Sequence, residues 1–428
     1  MRNLRHITRY VALLLLVGTV AVWPMAAATP TARPEEVGLS AERLQRLNDL
    51  IKRHIDAGTF SGAVTLVARN GRVVHLEAQG LMDIESRKPM QKDAIFRIMS
   101  MTKPIVGASI MMMIEEGKVR LTDPVSKFIP ELKDLKVAVT MPAAAGPPPP
   151  QGTPARFYMV PAEREITIRD LLTHTSGLVS GGVSNVEARK VALKGKESLA
   201  DYLPRLGSVP LDFQPGTRWA YSAQAGFDAL AHIVEIASGL PFDRFAKQRI
   251  FDPLGMKDTF FYPAEGNPRM ATRYTRGAKG LEKQNNPGFM NGAYFSGGGG
   301  LMSTAEDYLQ FAQMLLNGGE LNGKRLLGSK TVEVMTSVAA PDTLPGRPKG
   351  EGYGLSVRVV HDPIARSSFM SAGTFGWSGA YGTHFFVDPH ERIVGILMTQ
   401  TPDQQVRLDF ENAIMHAIVG NATLSGTH

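Results

Sequence analysis

The stretch Phe96-Arg-Ile-Met-Ser100-Met-Thr-Lys103-Pro104 leads into a largely apolar run over residues 105–114. This pattern predicts a buried helix, and Pro104 fits its first turn. Ser100 and Lys103 are three residues apart, so they lie on one face of such a helix, one turn from each other. A serine is a weak nucleophile near neutral pH and needs a base beside it. We interpret Ser100 as a candidate nucleophile and Lys103 as its proton acceptor. The alternative from this segment alone is an N-capping serine beside a solvated lysine.

The N-terminus has the pattern of an export signal. Arg2, Arg5 and Arg9 precede a mostly apolar segment over residues 10–22, and three alanines then offer a cleavage site. The apolar segment is short for a bilayer span, which takes about 20 residues, so a membrane anchor is the less favoured alternative. We expect residues 1–28 to be a cleaved signal peptide and the mature protein to be periplasmic or secreted.

Composition narrows the classes of function. The 428 residues include no cysteine, which excludes disulfides, a cysteine nucleophile and thiolate metal sites. Removal of residues 1–28 takes away three arginines and no acidic residue, so the formal charge falls by three, from +7 to +4. This mild basicity, without any block of lysine and arginine, does not favour nucleic-acid binding. The ten histidines are scattered and no His-Glu-x-x-His occurs, so we expect no metal.

Both ends of the mature chain contain strand and helix patterns. The predicted strands are residues 62–68, 72–79, 384–387 and 393–399. The helices predicted beside them are residues 35–58 and 406–419. Asn70-Gly71, between the first two strands, is a strong hairpin signal. We therefore expect an α+β fold in which the two chain ends build one largely antiparallel sheet.

The middle of the chain is predicted to be mostly helical. The predicted helices there include residues 167–172, 227–238 and 241–250, followed by a capped helix that ends at residue 316. Residues 141–156 are rich in proline and are interpreted as a surface loop, and residues 263–289 as a second loop. We expect a sheet domain from residues 29–96 and 305–428, and a mostly helical domain from residues 97–304.

Two further segments contain candidate site residues. Tyr221, in Trp219-Ala-Tyr221-Ser-Ala223, carries a phenol that can relay a proton to a leaving group, although a buried structural tyrosine is the alternative. The stretch Gly376-Trp377-Ser378-Gly379-Ala380-Tyr381-Gly382 would let substrate lie against a strand edge, with a backbone N–H donating to an oxyanion. A glycine-rich strand entry without chemistry is the alternative there. His174 is interpreted as structural, since it is close in sequence to Ser176 and adjacent residues rarely face one catalytic centre.

As a set, these motifs resemble the serine β-lactamase and penicillin-recognising family, and more narrowly its carboxylesterase branch, the family VIII esterases. The resemblance covers nearly all of the mature chain. The motifs are Ser100-Met-Thr-Lys103, Leu171-Leu-Thr-His174-Thr-Ser-Gly177-Leu, Tyr221-Ser-Ala223, Gly298-Gly-Gly-Leu301-Met-Ser-Thr304 and Trp377-Ser378-Gly379. The resemblance implies a β-lactamase-like fold, with a largely antiparallel sheet flanked by helices, a mostly helical domain beside it, and the active site between them.

The resemblance also implies roles for individual residues. Ser100 would be the acylated nucleophile, and Lys103 and Tyr221 would form the general-base and general-acid pair. The backbone N–H groups of Ser100 and Ala380 would form the oxyanion hole. No metal or organic cofactor is implied.

Two positions depart from the β-lactamase pattern. The Tyr-x-Asn of the lactamases is Tyr221-Ser-Ala223 here, and their Lys-Thr-Gly is Trp377-Ser378-Gly379. Ala223 lacks the amide that contacts a substrate side chain, and Trp377 replaces a lysine that would contact a β-lactam carboxylate or support the tyrosine. We expect these four positions, 223 and 377–379, to bind substrate. The flat apolar face of Trp377 suits a short acyl or alkyl group.

The sequence therefore predicts a serine carboxylesterase that hydrolyses short-chain esters through an acyl-enzyme on Ser100. Weak β-lactam hydrolysis and acyl transfer to an alcohol are compatible with the same chemistry. The nearest alternative is a class C-like β-lactamase or a D,D-peptidase, and a second alternative is a non-catalytic relative that binds cell wall. The expected partner is a small-molecule ester, with no nucleic acid and no stable membrane anchor. The natural ester and the oligomeric state do not follow from the sequence.

Overall fold

The computed structural model describes residues 29–141, 156–285 and 292–420. The predicted signal peptide at residues 1–28 and most of the proline-rich segment at 141–156 lie outside the described residues. In the described ranges, no helix combines the length and the apolar character that a bilayer crossing requires.

An eight-stranded sheet forms the centre of the described structure. In chain order, the strands of the protein are β1 (Gly62–Arg69), β2 (Arg72–Asp83), β3 (Lys88–Pro89), β4 (Phe96–Arg97), β5 (Lys136–Thr140), β6 (Phe157–Pro161), β7 (Tyr274–Gly277), β8 (Gly280–Lys283), β9 (Met302–Ser303), β10 (Glu320–Leu321), β11 (Lys324–Arg325), β12 (Glu351–Tyr353), β13 (Arg358–Val360), β14 (Phe375–Ser378), β15 (His384–Asp388) and β16 (Ile393–Met398). The order in the central sheet is β12-β13-β14-β15-β16-β1-β2-β3. Each neighbouring pair is antiparallel.

Helices cover both faces of this sheet. The helices of the described residues are α1 (Ala41–Asp56), α2 (Thr102–Glu115), α3 (Ile168–Leu172), α4 (Val183–Ala188), α5 (Leu199–Tyr202), α6 (Ala225–Ser238), α7 (Phe242–Ala246), α8 (Asp252–Leu254), α9 (Ala305–Leu316), α10 (Ser329–Met335), α11 (Pro363–Arg366) and α12 (Gln404–His416). Shorter 3₁₀ turns lie at Pro34–Val37, Met99–Met101, Val125–Lys127, Pro130–Leu132, Arg189–Val191 and Leu203–Ser208, and a π-helical turn lies at Lys247–Phe251.

The two ends of the chain meet in the middle of the sheet. β1 pairs with β16, and Leu66 lies opposite Ile396. β1 turns into β2 through Asn70 and Gly71, whose φ angles of 53° and 73° are the left-handed values that a two-residue hairpin turn requires. The predicted antiparallel sheet from both chain ends is therefore confirmed.

Alternate residues of the strands face two separate cores. On one face, α1 and α12 bury Leu47, Ile51 and Phe410 against the sheet. On the other face lies the larger core, which includes α2 and α9. All side chains of α2 from residue 102 to residue 113 are buried, as expected for a helix that is apolar on every side.

Arg69 joins the first and last described segments of the chain on the α1/α12 face. Its buried guanidinium donates to the backbone oxygens of Val37, Gly38 and Gly420 at 3.0, 2.9 and 3.1 Å. Glu391 accepts from the same guanidinium at 2.6 Å. A buried charge is tolerated only with partners of this kind, so Arg69 holds the two ends together.

The structure corrects three predictions about secondary structure. The helix predicted at residues 35–58 begins only at Ala41, because Gly38 takes a left-handed φ of 74° and Ser40 caps the helix. The predicted loop at residues 263–289 contains the β7–β8 hairpin. The segment 376–382, predicted to border a substrate-binding strand edge with a plain strand entry as the alternative, begins inside strand β14, and β12 and β13 were not predicted.

We expect His75, in the middle of β2, to make the protein sensitive to acid. Burial and the charge of Lys92 lower the pKa of His75 from 6.5 to about 4. The Thr65 hydroxyl and Nε2 of His75 share a 2.8 Å hydrogen bond. The unfolded chain therefore binds one more proton than the folded chain between these two pH values. This proton uptake lowers the free energy of unfolding as pH falls from 6.5 towards 4.

The measurement is the melting temperature at several pH values for the wild type and His75→Gln. On acidification, the melting temperature of the variant should fall less than that of the wild type. The difference is bounded, because one histidine changes the free energy of unfolding by at most about 1.4 kcal/mol per pH unit. His390→Gln, which removes an exposed histidine, is the control. Equal acid sensitivity of wild type and His75→Gln would contradict this prediction.

Candidate active site

Ser100 lies in a tight turn directly before α2 instead of in its first turn. The 3₁₀ turn Met99–Met101 holds it, and only 9% of its surface is exposed. Met99 has a left-handed φ of 46°, which is uncommon for a residue other than glycine and is found where function constrains the backbone. The hydroxyl of Tyr308 on α9 donates to the Met101 carbonyl at 2.8 Å and thereby holds the turn in place.

Ser100, Lys103 and Tyr221 converge as the sequence predicts. Lys103 Nζ lies 3.1 Å from Ser100 Oγ, and the hydroxyl of Tyr221 lies 2.7 Å from the same oxygen. Lys103 is completely buried, and its Nζ is also 4.9 Å from the centre of the Tyr221 ring. A nucleophile with two proton-transferring groups in hydrogen-bond reach is the arrangement that covalent catalysis requires.

Two backbone carbonyls take the other hydrogen bonds of Lys103. Its Nζ donates to Ala223 O and to Gly298 O, each at 2.7 Å. The two carbonyls approach closely because residue 298 has no side chain: a Cβ there would stand 2.6 Å from the Cα of Gln224. Ala223, predicted to bind substrate, thus has an unpredicted contact with Lys103 through its carbonyl, and Gly298 is a site residue that the sequence did not predict.

Asp228 on α6 fixes the segment that carries Gly298. Its buried carboxylate accepts hydrogen bonds from the Gly298 N–H at 2.9 Å, and from the hydroxyls of Ser296 and Tyr294 at 2.7 Å. Burial raises the pKa of Asp228, an effect that these three donors oppose. Asp228 thus positions the carbonyl that binds Lys103, although it does not touch Lys103 in a hydrogen bond.

His174 binds the residues directly before and after Tyr221. Its backbone oxygen accepts from the N–H of Ala220 at 3.1 Å, and its Nδ1 accepts from the N–H of Ser222 at 3.3 Å. Its ring packs on the Tyr221 ring with 4.7 Å between centroids. Burial, together with the charges of Lys103 and Arg347, keeps the pKa of His174 well below 6.5. The imidazole is therefore neutral, and Nδ1 can accept the hydrogen bond from Ser222. His174 was predicted to be structural, and its structural role is to hold the segment around Tyr221.

Trp377 completes an aromatic wall around Tyr221. Its ring lies 5.5 Å from the Tyr221 ring and 5.1 Å from the Tyr353 ring. The Trp219 ring lies 6.4 Å from the Tyr221 ring and 5.8 Å from the His174 ring. Trp377 thus occupies the neighbourhood of the phenol, as expected from its position in the motif. No sequence pattern pointed to Tyr353, which is far from every motif.

The end of β14 lies against the Ser100 turn. A Cβ at residue 379 would stand 2.4 Å from the carbonyl oxygen of Ile98, so only glycine permits this approach. Ala380 follows, and its N–H has no acceptor among the described residues. Ser378 bonds to the ring of the buried His384 at 2.8 Å instead of standing free for a substrate.

The structure thus brings Ser100, Lys103 and Tyr221 together, with Trp377 beside the tyrosine and Gly379 beside the turn. The side chain of Ser378 is engaged elsewhere. Over the described ranges, no group of three or more His, Asp or Glu side chains is arranged to hold a metal ion.

Similar proteins span nearly the whole length of the chain. Protein Rv1367c of Mycobacterium tuberculosis is 36% identical over 400 residues, which cover 88% of this chain and 93% of that protein. Esterase EstB of Burkholderia gladioli is 32% identical over 403 residues, which cover 88% of this chain and 94% of EstB. The solved structure of EstCE1, described as a hydrolase with promiscuous acyltransferase activity, matches with a TM-score of 0.72 at 26% identity, over 88% of this chain and 98% of EstCE1.

The fold and the site define a serine hydrolase of the β-lactamase superfamily. The chain belongs to the β-lactamase family, whose model, described as Beta-lactamase, matches residues 47–418. The family resemblance seen in the sequence, including its esterase branch, is confirmed by the similarity to EstB and EstCE1.

We expect His174 to act as a positioning residue for Tyr221. His174→Leu removes the acceptor for the Ser222 N–H and should lower kcat for ester hydrolysis by about 10- to 100-fold with little change in KM, because a small misplacement of a catalytic group costs this much. His174→Asn keeps an acceptor near the Nδ1 position and tolerates the left-handed φ of 58°, so it should restore most of the lost kcat.

Steady-state kinetics and melting temperatures of the three proteins provide the check. His232→Leu, which replaces a half-buried histidine on α6 that pairs with Glu235, is the control. If the leucine and asparagine variants lose kcat equally while both melt like the wild type, His174 does not position Tyr221.

Proposed function

We propose that the protein is a serine carboxylesterase that forms an acyl-enzyme on Ser100. The observation that carries the proposal is the position of Ser100 Oγ, 3.1 Å from Lys103 Nζ and 2.7 Å from the Tyr221 hydroxyl. One hydroxyl thus has two partners that can take its proton and return it to a leaving group.

The hydrogen bonds of Lys103 support its role as a base. A neutral amine has two N–H groups and one lone pair. The carbonyls of Ala223 and Gly298 bind two N–H groups, so the remaining position of Nζ faces Ser100. When the amine is neutral, this position holds the lone pair and accepts the Ser100 proton as Oγ attacks the ester carbonyl.

The second half of the reaction uses the same groups in reverse. The backbone N–H groups of Ser100 and Ala380 stabilise the negative charge on the carbonyl oxygen in the tetrahedral intermediate. Tyr221 and Lys103 return a proton to the departing alcohol, which leaves the acyl group on Ser100. Water, deprotonated by the same pair, then attacks the acyl-enzyme and releases the acid.

Residues 223 and 377 favour an ester over a β-lactam. Ala223 carries no amide for a substrate side chain, and Trp377 places an aromatic ring beside Tyr221 where a lactamase has a cation for the carboxylate. EstB is named an esterase and EstCE1 is described as a hydrolase with acyltransferase activity, and both descriptions agree with this choice. We propose uncharged esters with at least one short substituent as the substrates.

The test compares p-nitrophenyl butyrate with the chromogenic cephalosporin nitrocefin. The ester should have a kcat/KM higher by orders of magnitude, and Ser100→Ala should abolish both activities. Lys103→Ala and Tyr221→Phe should each lower ester kcat by about 100- to 10,000-fold, the usual contribution of general acid–base catalysis. Tyr158→Phe, which alters an exposed tyrosine, should have no effect.

Other outcomes identify the alternatives. A higher kcat/KM for nitrocefin would make the protein a β-lactamase, and release of D-alanine from a peptidoglycan peptide would make it a D,D-peptidase. Failure of a fluorophosphonate to label Ser100 in folded protein would support a non-catalytic binding role. Ester hydrolysis that persists in Ser100→Ala would overturn the mechanism.

We also propose that the protein is exported and that residues 1–28 are removed. The basic start and the apolar segment support this proposal. The N-terminal sequence of protein recovered from the periplasm or the medium should begin close to residue 29. Recovery of the chain only in the cytoplasm with its first residues intact would contradict export.

A further inference from the structure

A cavity of about 340 Å³ opens beside Tyr221 and Ala223, between the N-terminus of α6 and the segment that includes α4. We call it the side cavity. The residues that give it an apolar wall are Val179, Ala188, Ala192, Leu193, Tyr202 and Ala225. Because Tyr221 lines it, a group that fills it contacts the residue whose hydroxyl lies 2.7 Å from Ser100 Oγ.

The polar side chains that line the side cavity are either hydrogen-bonded within the protein or exposed to solvent. The Asp228 carboxylate at its base already accepts three hydrogen bonds, including one from Tyr294, which also lines the cavity. Arg189 and Gln224 are exposed. The apolar residues of the wall therefore suit an apolar group, and the cationic lining residue Arg189 is exposed to solvent.

The backbone at the wall is held in an unfavourable conformation. Val179 has a left-handed φ of 44°, which is a rare value for a β-branched residue. Such strain persists only where the surrounding structure enforces it, and it is concentrated at functional sites. This observation is independent of the cavity volume and points to the same place.

We propose that the side cavity binds the larger apolar substituent of the ester, an acyl or alkyl chain of medium length. At about 30 Å³ per non-hydrogen atom, the volume of a water molecule in the liquid, the cavity holds about ten atoms. An eight-carbon chain fits, whereas a butyryl group leaves more than half of the space unfilled. The proposal rests on the proposed esterase function and extends it beyond short chains, because only one substituent of the ester then needs to be short.

The experiment measures kcat/KM for two series of esters. The first series varies the acyl chain of p-nitrophenyl esters from acetate to octanoate, and the second varies the alcohol of acetate esters from methyl to octyl. Each methylene buried in transition-state binding contributes up to about fourfold. One series should therefore rise by at least about tenfold towards the eight-carbon member, and the series that rises identifies which side of the ester the cavity holds.

Two variants test the cavity itself. Ala192→Trp places a large ring at an exposed wall residue and should lower the ratio of eight-carbon to two-carbon kcat/KM by at least about tenfold, with acetate hydrolysis changed by less than about threefold. Leu193→Ala enlarges the cavity and should shift the preferred chain to a longer one. Ala57→Trp, at an exposed alanine after α1, is the matched control and should leave the ratio unchanged.

The outcomes separate this proposal from the proposed function. If no ester of any length is hydrolysed, the esterase function fails. If short esters are hydrolysed but neither series rises, or if neither Ala192→Trp nor Leu193→Ala alters the ratio while acetate hydrolysis persists, the side cavity does not bind the substrate chain.

Discussion

The hydrogen bonds of one buried amine connect the parts of the site. Lys103 belongs to a helix whose other buried side chains are almost all apolar, and an amine in such surroundings is costly unless it is hydrogen-bonded. The carbonyls of Ala223 and Gly298 supply these bonds from two segments that are distant in sequence. The geometry around Ser100 therefore depends on three chain segments at once, and each is held in place by the requirement to satisfy Lys103.

The second layer of the site fixes these segments by similar means. Asp228 gathers three donors around the Gly298 segment, and His174 takes the N–H groups on both sides of Tyr221 through its backbone and its ring. The backbone is left-handed at Met99 beside Ser100, at His174 beside Tyr221 and at Val179 in the wall of the side cavity. Conformations of this kind cost free energy, which the packing of the two large cores must offset.

Local patterns in the sequence predicted the antiparallel sheet, whereas the β-lactamase-like fold and the grouping of Tyr221 with Ser100 and Lys103 came from the resemblance to a family. The Asn70-Gly71 turn and alternating strands at both chain ends predicted the antiparallel sheet, and the spacing of Ser100 and Lys103 predicted their contact. The short strands β12 and β13 were missed, because three residues are too few to show a period. The glycine-rich β14 and the β7–β8 hairpin, within a polar segment, lacked the usual strand composition.

The supporting atoms of the site were beyond sequence reasoning for a different reason. Ala223 and Gly298 bind Lys103 through backbone oxygens, which every residue possesses, so the motifs that contain them did not predict these two hydrogen bonds. Tyr353 is distant from every motif, and only the tertiary packing brings it to Trp377. Asp228 follows the Tyr221 motif closely in sequence, but its contacts with Tyr294, Ser296 and Gly298 depend on tertiary packing. Ser378 matched a motif position, but pairing of β14 with β15 turns its hydroxyl towards His384.

The position of Arg69 has a practical consequence for handling the protein. Because it binds Val37, Gly38 and Gly420, the last described residue lies on the α1/α12 face of the sheet. Thr29, the first described residue, instead accepts a 2.7 Å hydrogen bond from Gln310 of α9, which belongs to the larger core. The Ser100 turn, whose Met101 packs in the larger core, lies across the sheet from Gly420. A purification tag, a fusion partner or a solid support is therefore better joined after Gly420, which lies across the sheet from the Ser100 turn, than before Thr29.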